Sequence, residues 1–492
     1  MDFKRFSTLA KPAHIVPVYR KYNADFVTPV MAYLKLKEKG KYSFLLESVI
    51  RGEELGRYSF LGQAPYLIQK FKDGKTISIA GSKNQKHKED FFSILGKSLR
   101  EYKMVTIPEL PDFTCGAVGF IGYEMIGLIE RMPETKSDVI QNDDALMAFY
   151  DRLIAFDHLK NEVILIANVF IDKESDLEHL YDEALHRLDT LREKLNRPLK
   201  VENDFKVNWD SETSNFEKEN FKSAVKKTKE YIYAGDIFQG VISQRFSVAY
   251  AGDPFQVYRA LRNINPSPYM FYLDFREYQA IGSSPEPLIR ANDKNLEVIP
   301  IAGTRHRSPD PEVDKALAEE LLNDPKELAE HVMLVDLARN DIGRIAEYGT
   351  VKVHDFKTIQ RYSHVMHIIS RVVGKLKPGL SVIDAFKSAF PAGTVSGAPK
   401  IRAMEIINEL EPEKRGIYSG AVGYFDFRGN MDMCIAIRTL VANKERLFYQ
   451  AGAGIVADSD PESEFNETVN KTGALRRAIQ EADGGINDLI YR

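Results

Sequence analysis

The sequence predicts a protein of mixed strands and helices in two domains or two intimately packed lobes, and three observations carry that prediction. Its 492 residues exceed the size at which a single hydrophobic core keeps growing. Short apolar runs of strand length, bounded by turn residues, are interspersed with amphipathic stretches of helical period. Residues 197–213 (RPLKVENDFKVNWDSET) are polar enough to connect two halves. Composition narrows the class further. With 44% apolar and 28% charged residues the chain has ample core material, and a formal charge of -4 argues against nucleic acid as a partner. Met1 to Pro17 holds no apolar block of signal-peptide length, and no run is long enough to span a membrane. Two cysteines, Cys115 and Cys434, exclude a disulfide framework and suit a reducing cytoplasm.

In the first half, Thr28-Pro29 caps a helix running to Gly40, and residues 42–49 (YSFLLESV) form a strand closed by the polar pair Glu47 and Ser48. Strands follow at 57–62, 66–72 and 76–80, the last two joined by Asp73-Gly74, a strong hairpin signal. An amphipathic helix is expected at 89–102 and a glycine-punctuated strand at 113–123. A hairpin pairing 145–156 with 162–170 and a charged helix at 173–196 complete this half. In the second half, Ser214 and Glu217 have capping-box spacing before a helix whose stripe of Phe221, Ala224, Val225, Thr228, Tyr231 and Ile232 faces a core. Residues 235–246 turn into a strand in which Gln239 is polar among apolar neighbours. The proline-fixed loop Asn265 to Met270 leads into the strand 271–274 and presents Pro268, Tyr269 and Met270 as a rigid wall.

Glu286 stands between two prolines, and 297–304 reads as a strand ending in Ala302, Gly303 and Thr304. Asp324-Pro325 opens a helix carrying Glu327 and Glu330 on one face, of which Glu327 has the spacing of a capping partner. Residues 361–373 alternate as a strand with His367 on one face and His364 on the other. A helix at 381–390 precedes the small-residue loop 391–400, where Thr394 lies before a helix N-terminus that favours anions. Strands are expected at 418–425, beginning with Tyr418, and at 431–441, where Arg438 is a charge that needs an anionic partner.

The passage 451–473 (AGAGIVADSDPESEFNETVNKTG) combines three devices. Gly452, Ala453 and Gly454 offer backbone for close approach of a ligand. Asp460-Pro461 is an N-cap with its first helical residue. On that helix Glu464 and Glu467 share a face, with Lys471 four residues past Glu467. Two carboxylates on one face suit a hard cation such as Mg²⁺, and the same pattern also describes a solvated acidic helix.

Taken together, PIAGTR at 300–305, ELAEHVMLVDLARND at 327–341, RYSHVMH at 361–367, GTVSGAPK at 393–400, IAIRT at 435–439 and QAGAGIVADSDPESEFNETVNK at 450–471 resemble the chorismate-utilising enzymes, and among them anthranilate synthase component I. The likeness is weak over the first 200 residues and specific from about Phe216 onward. It implies an α+β fold of four layers, α/β/β/α, with two packed sheets flanked by helices. It also implies an N-terminal regulatory half, 1–205, and a chorismate-binding half, 214–485. The implied activity is conversion of chorismate and ammonia to anthranilate and pyruvate, the committed step of tryptophan biosynthesis, in the cytoplasm.

By the same resemblance Glu330 and Glu467 match Mg²⁺ ligands, with Glu464 acting through water. Gly303, Thr304, Tyr418, Arg438, Lys471 and the backbone of Gly452, Ala453 and Gly454 match substrate contacts. Glu286 resembles the proton donor for the leaving hydroxyl, His367 the residue of the pyruvate-eliminating step, and Thr394 a hydroxyl brought to the same place. Related isochorismate and salicylate synthases carry lysine where Gln239 stands, to activate water; glutamine has no titratable base, so ammonia fits as the nucleophile. Aminodeoxychorismate synthase, the alternative within the class, typically carries lysine at the position of Ala302. An inactive tryptophan-sensing relative, a third reading, would be expected to have lost Glu330, Glu467 or Arg438. Neither cysteine has the setting of a glutaminase nucleophile, so a separate glutaminase subunit, component II, is expected to supply ammonia in a hetero-oligomer. Glu47, Ser48, Pro268, Tyr269 and Met270 match the segments that line a feedback site for L-tryptophan.

Overall fold

The computed structural model describes residues 1–48, 56–134, 136–199, 204–362 and 365–486; Val49 and His364 of the expected strands lie outside them. Among the described residues, two antiparallel sheets of 12 strands each make up the centre. Between them lies one core layer, with Phe44, Phe60 and Phe271 from the first sheet meeting Phe120, Val422 and Cys434 from the second. The outer face of the first sheet packs on the helices Phe3–Ala10, Pro29–Leu36, Leu177–Asn196, Phe255–Ile264 and Gly473–Gly484. That of the second packs on Phe91–Arg100, Pro325–Gly343 and Val382–Ala389, while Lys400–Leu410 packs on the strand Gln239–Ala251 of the first. These are the four layers expected, and the alternation of strands facing one core layer and helices facing another explains their periodicities.

Both sheets run through both halves of the sequence. In the first, Ser43–Glu47 pairs with Tyr269–Asp274, Met270 standing opposite Glu47. In the second, Gly116–Ile121 pairs with Ala421–Asp426, Gly119 opposite Gly423.

Several local signals hold as read. The Thr28 hydroxyl accepts from Met31 N at 3.2 Å. Asp73 and Gly74, at φ 50 and 71, turn Leu67–Lys72 into Lys75–Ala80. Asp324 and Asp460 each cap a helix that begins with proline.

Other readings need correction. The run 145–156 is two strands, Ala145–Tyr150 in the second sheet and Arg152–Asp157 in the first, with Asp151 between them. The run 431–441 divides likewise into Met431–Ile435 and Thr439–Ala442, with Arg438 at φ 49 between. An apolar run reads alike in either sheet, so the crossing leaves no mark on hydropathy. The strand 297–304 breaks at Ile299-Pro300, since proline has no N–H for a ladder. Ser214 is not a helix cap: its hydroxyl accepts from Phe216 N and donates to Gln244 Oε1, and the helix begins at Lys218 without a side-chain cap. The polar connection folds in part as an edge strand, Lys206–Ser214. Ile15–Asn23, unassigned from sequence, is an edge strand too, which is why Pro17 is tolerated inside it.

The facing glycines set the closeness of the central strands. A Cβ built on Gly119 would stand 1.9 Å from the Leu146 carbonyl oxygen, a backbone atom that cannot turn aside. Gly119→Ala should therefore lower unfolding stability by roughly 2 kcal/mol, the scale of core overpacking, measured as a drop in the urea midpoint. An unchanged midpoint would mean that the strands have slack.

Candidate active site and a second cavity between the sheets

Two places where the chain passes from one sheet to the other meet at a cavity of ≈ 300 Å³. At the first, Gln279–Ser284 gives way to Pro287–Asn292 through Pro285-Glu286. At the second, Met431–Ile435 gives way to Thr439–Ala442 through Arg438. The crossings are laced together: Ile435 N donates to Glu286 O at 3.0 Å and Ser283 N to Arg438 O at 3.1 Å. The cavity gathers Gln239, Glu286, Gly303, Thr304, Glu330, His367, Thr394, Tyr418, Arg438, Gly452 and Lys471, drawn from segments scattered over more than 230 positions.

Each group has a physical setting. Burial, chiefly, pushes the Glu286 carboxyl up to about 7, with the Thr394 hydroxyl, Arg438 and Lys471 opposing and Glu330 adding. Burial likewise holds His367 below its usual value, opposed by the Gly303 carbonyl, with Arg438 adding to the depression. Nδ1 of His367 lies 2.7 Å from Gly303 O and 3.1 Å from the Thr304 hydroxyl. A carbonyl can only accept, so Nδ1 carries the proton and Nε2 is left as a base. Gly303 bends back at φ 66, where a side chain would also press on Leu321 at 2.8 Å. Arg438 has no ion-pair partner among the described residues, and its side chain is exposed where it lines the cavity, so it offers its charge there.

Strand alternation sorts the glycine passage. Gly452 lines the cavity, and a Cβ there would stand 2.9 Å from the Tyr418 hydroxyl. Its carbonyl accepts from Lys471 Nζ at 3.1 Å. Gly454 faces Gln239, whose Nε2 a Cβ would meet at 2.5 Å. Ala453 points the other way into the core and is fully buried, so only its backbone can serve a ligand. Tyr362 and Gln450, unmarked in the sequence reading, also line the cavity. Both lie in the quoted motifs, the only signal that could have found them.

The acidic groups are coupled but spread. Glu330 lines the cavity, while Glu464 and Glu467 stand beside it on the helix Pro461–Lys471, and Glu467 pairs with Lys471 at 2.6 Å. Among the described residues no three His, Cys, Asp or Glu side chains gather closely enough to hold a metal as they stand. Burial first, then Glu327 and Glu467, raises Glu330; burial, then Glu467, raises Glu464. Carboxyls raised by burial and acidic neighbours in this way form an all-oxygen set that a hard divalent cation would relieve.

A second cavity, of ≈ 790 Å³, lies between the sheets and is lined by Glu47, Ser48, Pro268, Tyr269 and Met270 together with Cys434. Glu47 is already engaged, accepting from the Tyr258 hydroxyl at 2.5 Å and pairing with Arg262 at 3.2 Å. The Ser48 hydroxyl is buried with no partner among the described residues. Tyr269 is fixed by donating to Asp432 at 2.9 Å and accepting from Arg290 at 2.8 Å.

Comparison with known proteins agrees over nearly the whole chain. The family model for chorismate binding enzymes matches residues 58–477. Anthranilate synthase component 1 of Aquifex aeolicus is 46% identical over 98% of both chains, and that of Acetivibrio thermocellus 45% identical over 96% of this chain and 97% of the other. The crystal structure of anthranilate synthase component I from Streptococcus pneumoniae superposes with a TM-score of 0.78 at 38% identity, covering 92% of this chain and 98% of that one. With its motifs in order, its crossings at one cavity and its relatives matched end to end, the chain belongs to the chorismate-binding enzymes and, within them, to the anthranilate synthase component I family.

Proposed function

We propose that this protein converts chorismate and ammonia to anthranilate and pyruvate in the ≈ 300 Å³ cavity. The observation that carries the reading is the pairing, in one small space, of a half-buried carboxyl pushed up to about 7 with a histidine held neutral, beside the Arg438 guanidinium, which has no ion-pair partner among the described residues. Chorismate is a dianion; Arg438 would take the enolpyruvyl carboxylate in bidentate fashion, with Lys471 adding charge and Gly303, Thr304, Tyr418 and the backbone at Gly452 to Gly454 fixing the ring. Ammonia adds at C2 while the C4 hydroxyl leaves, and Glu286, held protonated, donates to it so that water departs rather than hydroxide. The Thr394 hydroxyl, buried with no partner among the described residues, is available to that carboxyl or to the substrate. His367 then removes the C2 proton through Nε2, the electron pair aromatises the ring, and the C3–O bond breaks to release pyruvate. Gln239, lacking a titratable group, leaves ammonia as the nucleophile.

Glu330 and Glu467, with Glu464 through water, are the residues that would hold Mg²⁺. When bound it supplies positive charge for the ring carboxylate. Incubating the chain with chorismate, ammonium and Mg²⁺ and following anthranilate fluorescence tests the reading. Activity without Mg²⁺, or an aminated product that is not anthranilate, would redirect it toward another member of the class.

Cys115 and Cys434 are buried, and burial raises both thiols. Neither can serve as a glutaminase nucleophile, which supports a separate component II as ammonia donor in a hetero-oligomer. No described helix is long and apolar enough to cross a membrane, in keeping with a cytoplasmic site of action.

The cavity between the sheets suits feedback by L-tryptophan, with residues 1–205 as the regulatory half and 214–485 as the catalytic one. The Ser48 hydroxyl and the Pro268 to Met270 wall would receive the ligand, and Glu47 would meet the ammonium by sharing its carboxylate with Arg262. Met270 and Tyr269 pair with Ser283 and Ser284, three and two residues from Glu286, so a shift at the wall has a short route to the proton donor.

Three outcomes follow. Because the acid form of Glu286 is the donor and it titrates at about 7, turnover at constant free ammonia should fall as pH rises through that value; a flat profile from about pH 6 to pH 9 removes it from the role. His367→Met should still consume chorismate but accumulate the amino-cyclohexadiene intermediate, resolved by chromatography, whereas loss of both steps together would make His367 a binding residue. Ser48→Phe should fill part of the tryptophan pocket and relieve inhibition while ammonia-dependent activity persists. Full inhibition of that variant would move the regulatory site elsewhere.

A further inference from the structure

A buried ion pair stands behind the cavity wall, and no step of the reaction uses it. Arg415, 1% exposed, donates from Nε to Glu411 Oε2 at 2.9 Å and from Nη2 to Oε1 at 2.6 Å. A pair buried this deeply gains little over well-packed apolar residues, because desolvation of both charges offsets their attraction. Geometry supplies another reason for it.

The remaining hydrogen bonds of the Arg415 guanidinium go to segments that line the cavity or flank its lining residues, while its backbone N–H donates to Glu124 at 2.7 Å. Nη1 donates to Val395 O at 2.6 Å and to the Ser419 hydroxyl at 3.2 Å, and Nη2 to Val241 O at 2.7 Å. The guanidinium lies 5.7 Å from the Tyr418 ring centroid. Val395 and Val241 line the cavity, next to Thr394 and two residues from Gln239, and Tyr418 lines it directly. Glu411 reaches a fourth segment. Its Oε1 accepts from Ser243 N and Oγ at 2.7 Å each, and Ser243 Oγ accepts at 2.8 Å from Gln450, which also lines the cavity. Four stretches far apart in sequence are thus referred to one planar group.

We propose that Arg415, held by Glu411, is a positioning residue for the reaction at this cavity. It fixes Tyr418 and the Thr394-Val395 backbone against the strand of Gln239, and through Glu411 and Ser243 it is tied to Gln450; the assignment rests on the chorismate reading above. A lysine cannot replace it, because three donors on one nitrogen cannot reach carbonyls diverging from a planar fork.

The test is Arg415→Lys in the full chain with chorismate, Mg²⁺ and ammonium, run beside the wild type. Displacing several lining groups by a fraction of an ångström should lower kcat/KM for chorismate roughly 100-fold, with both kcat and KM altered in a chain that stays folded by circular dichroism. A double-mutant cycle separates positioning from general stability. If Arg415 acts through Tyr418, adding Tyr418→Phe to Arg415→Lys should cost much less than Tyr418→Phe alone. Wild-type kcat/KM in a folded Arg415→Lys chain, or losses that simply multiply, overturns the assignment. Should that chain fail to fold, Glu411→Gln, which keeps size and an acceptor, carries the same cycle: a non-additive loss of roughly 10-fold supports the assignment, and no loss or an additive one overturns it. Wild-type protein that does not turn over chorismate would bring down the functional reading itself, a result distinct from all of these.

Discussion

The passage of the chain between two sheets is the constraint on which the site depends. Where a strand leaves one sheet for the other, its backbone groups lose their ladder partners and must find new ones. Here the two crossings satisfy each other, Ile435 N with Glu286 O and Ser283 N with Arg438 O. The side chains at such places point neither into the layer between the sheets nor onto an outer face. A carboxyl and a guanidinium can therefore stand at the end of the sandwich, surrounded by protein but facing a shared cavity. Arg438 accepts a left-handed backbone at φ 49 to do so, a conformation a residue of its size adopts only when its surroundings require it.

The same construction ties the cavity to the larger one between the sheets. Cys434 lines the larger cavity, and the next residue, Ile435, donates to the Glu286 carbonyl. On the other side Met270 pairs with both Glu47 and Ser283. A ligand between the sheets could thus bias the arrangement at Glu286 without touching it, and linkage would require chorismate to weaken that ligand to the same degree. The continuity of both sheets through the two halves makes such bias a matter of strand position rather than of one domain swinging on another.

Local chemistry was largely legible in the sequence, while the path of the chain was not. Asp73-Gly74, Asp324-Pro325 and Asp460-Pro461 act where they stand because turns and caps are decided by the residue itself and its near neighbours. The runs 145–156 and 431–441 misled because membership of a sheet is decided by partners distant in sequence. Ser214 misled because Gln244, 30 residues on, competes for its hydroxyl. At the site, motifs marked most of the lining residues, though not Gln239, Glu286 or Tyr418, and two facts needed the folded structure. Ala453 turns its side chain away from the cavity, and Glu47 is already engaged by Tyr258 and Arg262. The Glu411–Arg415 pair also escaped notice, since an acid and a base four apart on a chain more often mark an exposed helix face than a buried brace.

One environment prepares two opposite reagents. Burial disfavours charge of either sign, so it raises a carboxyl and lowers an imidazole. In this cavity it pushes Glu286 up to about 7 and holds His367 below its ordinary value. Near neutrality the carboxyl therefore keeps a substantial fraction of its proton while the imidazole lacks its second, which are the forms the proposed chemistry needs, an acid for the leaving hydroxyl and a base for carbon. Arg438 and Lys471 pull the other way on Glu286, and without burial their charge would leave a carboxylate with nothing to donate. A dianionic substrate would engage both cations and weaken that pull, so binding should favour the protonated acid just when the leaving hydroxyl is in place.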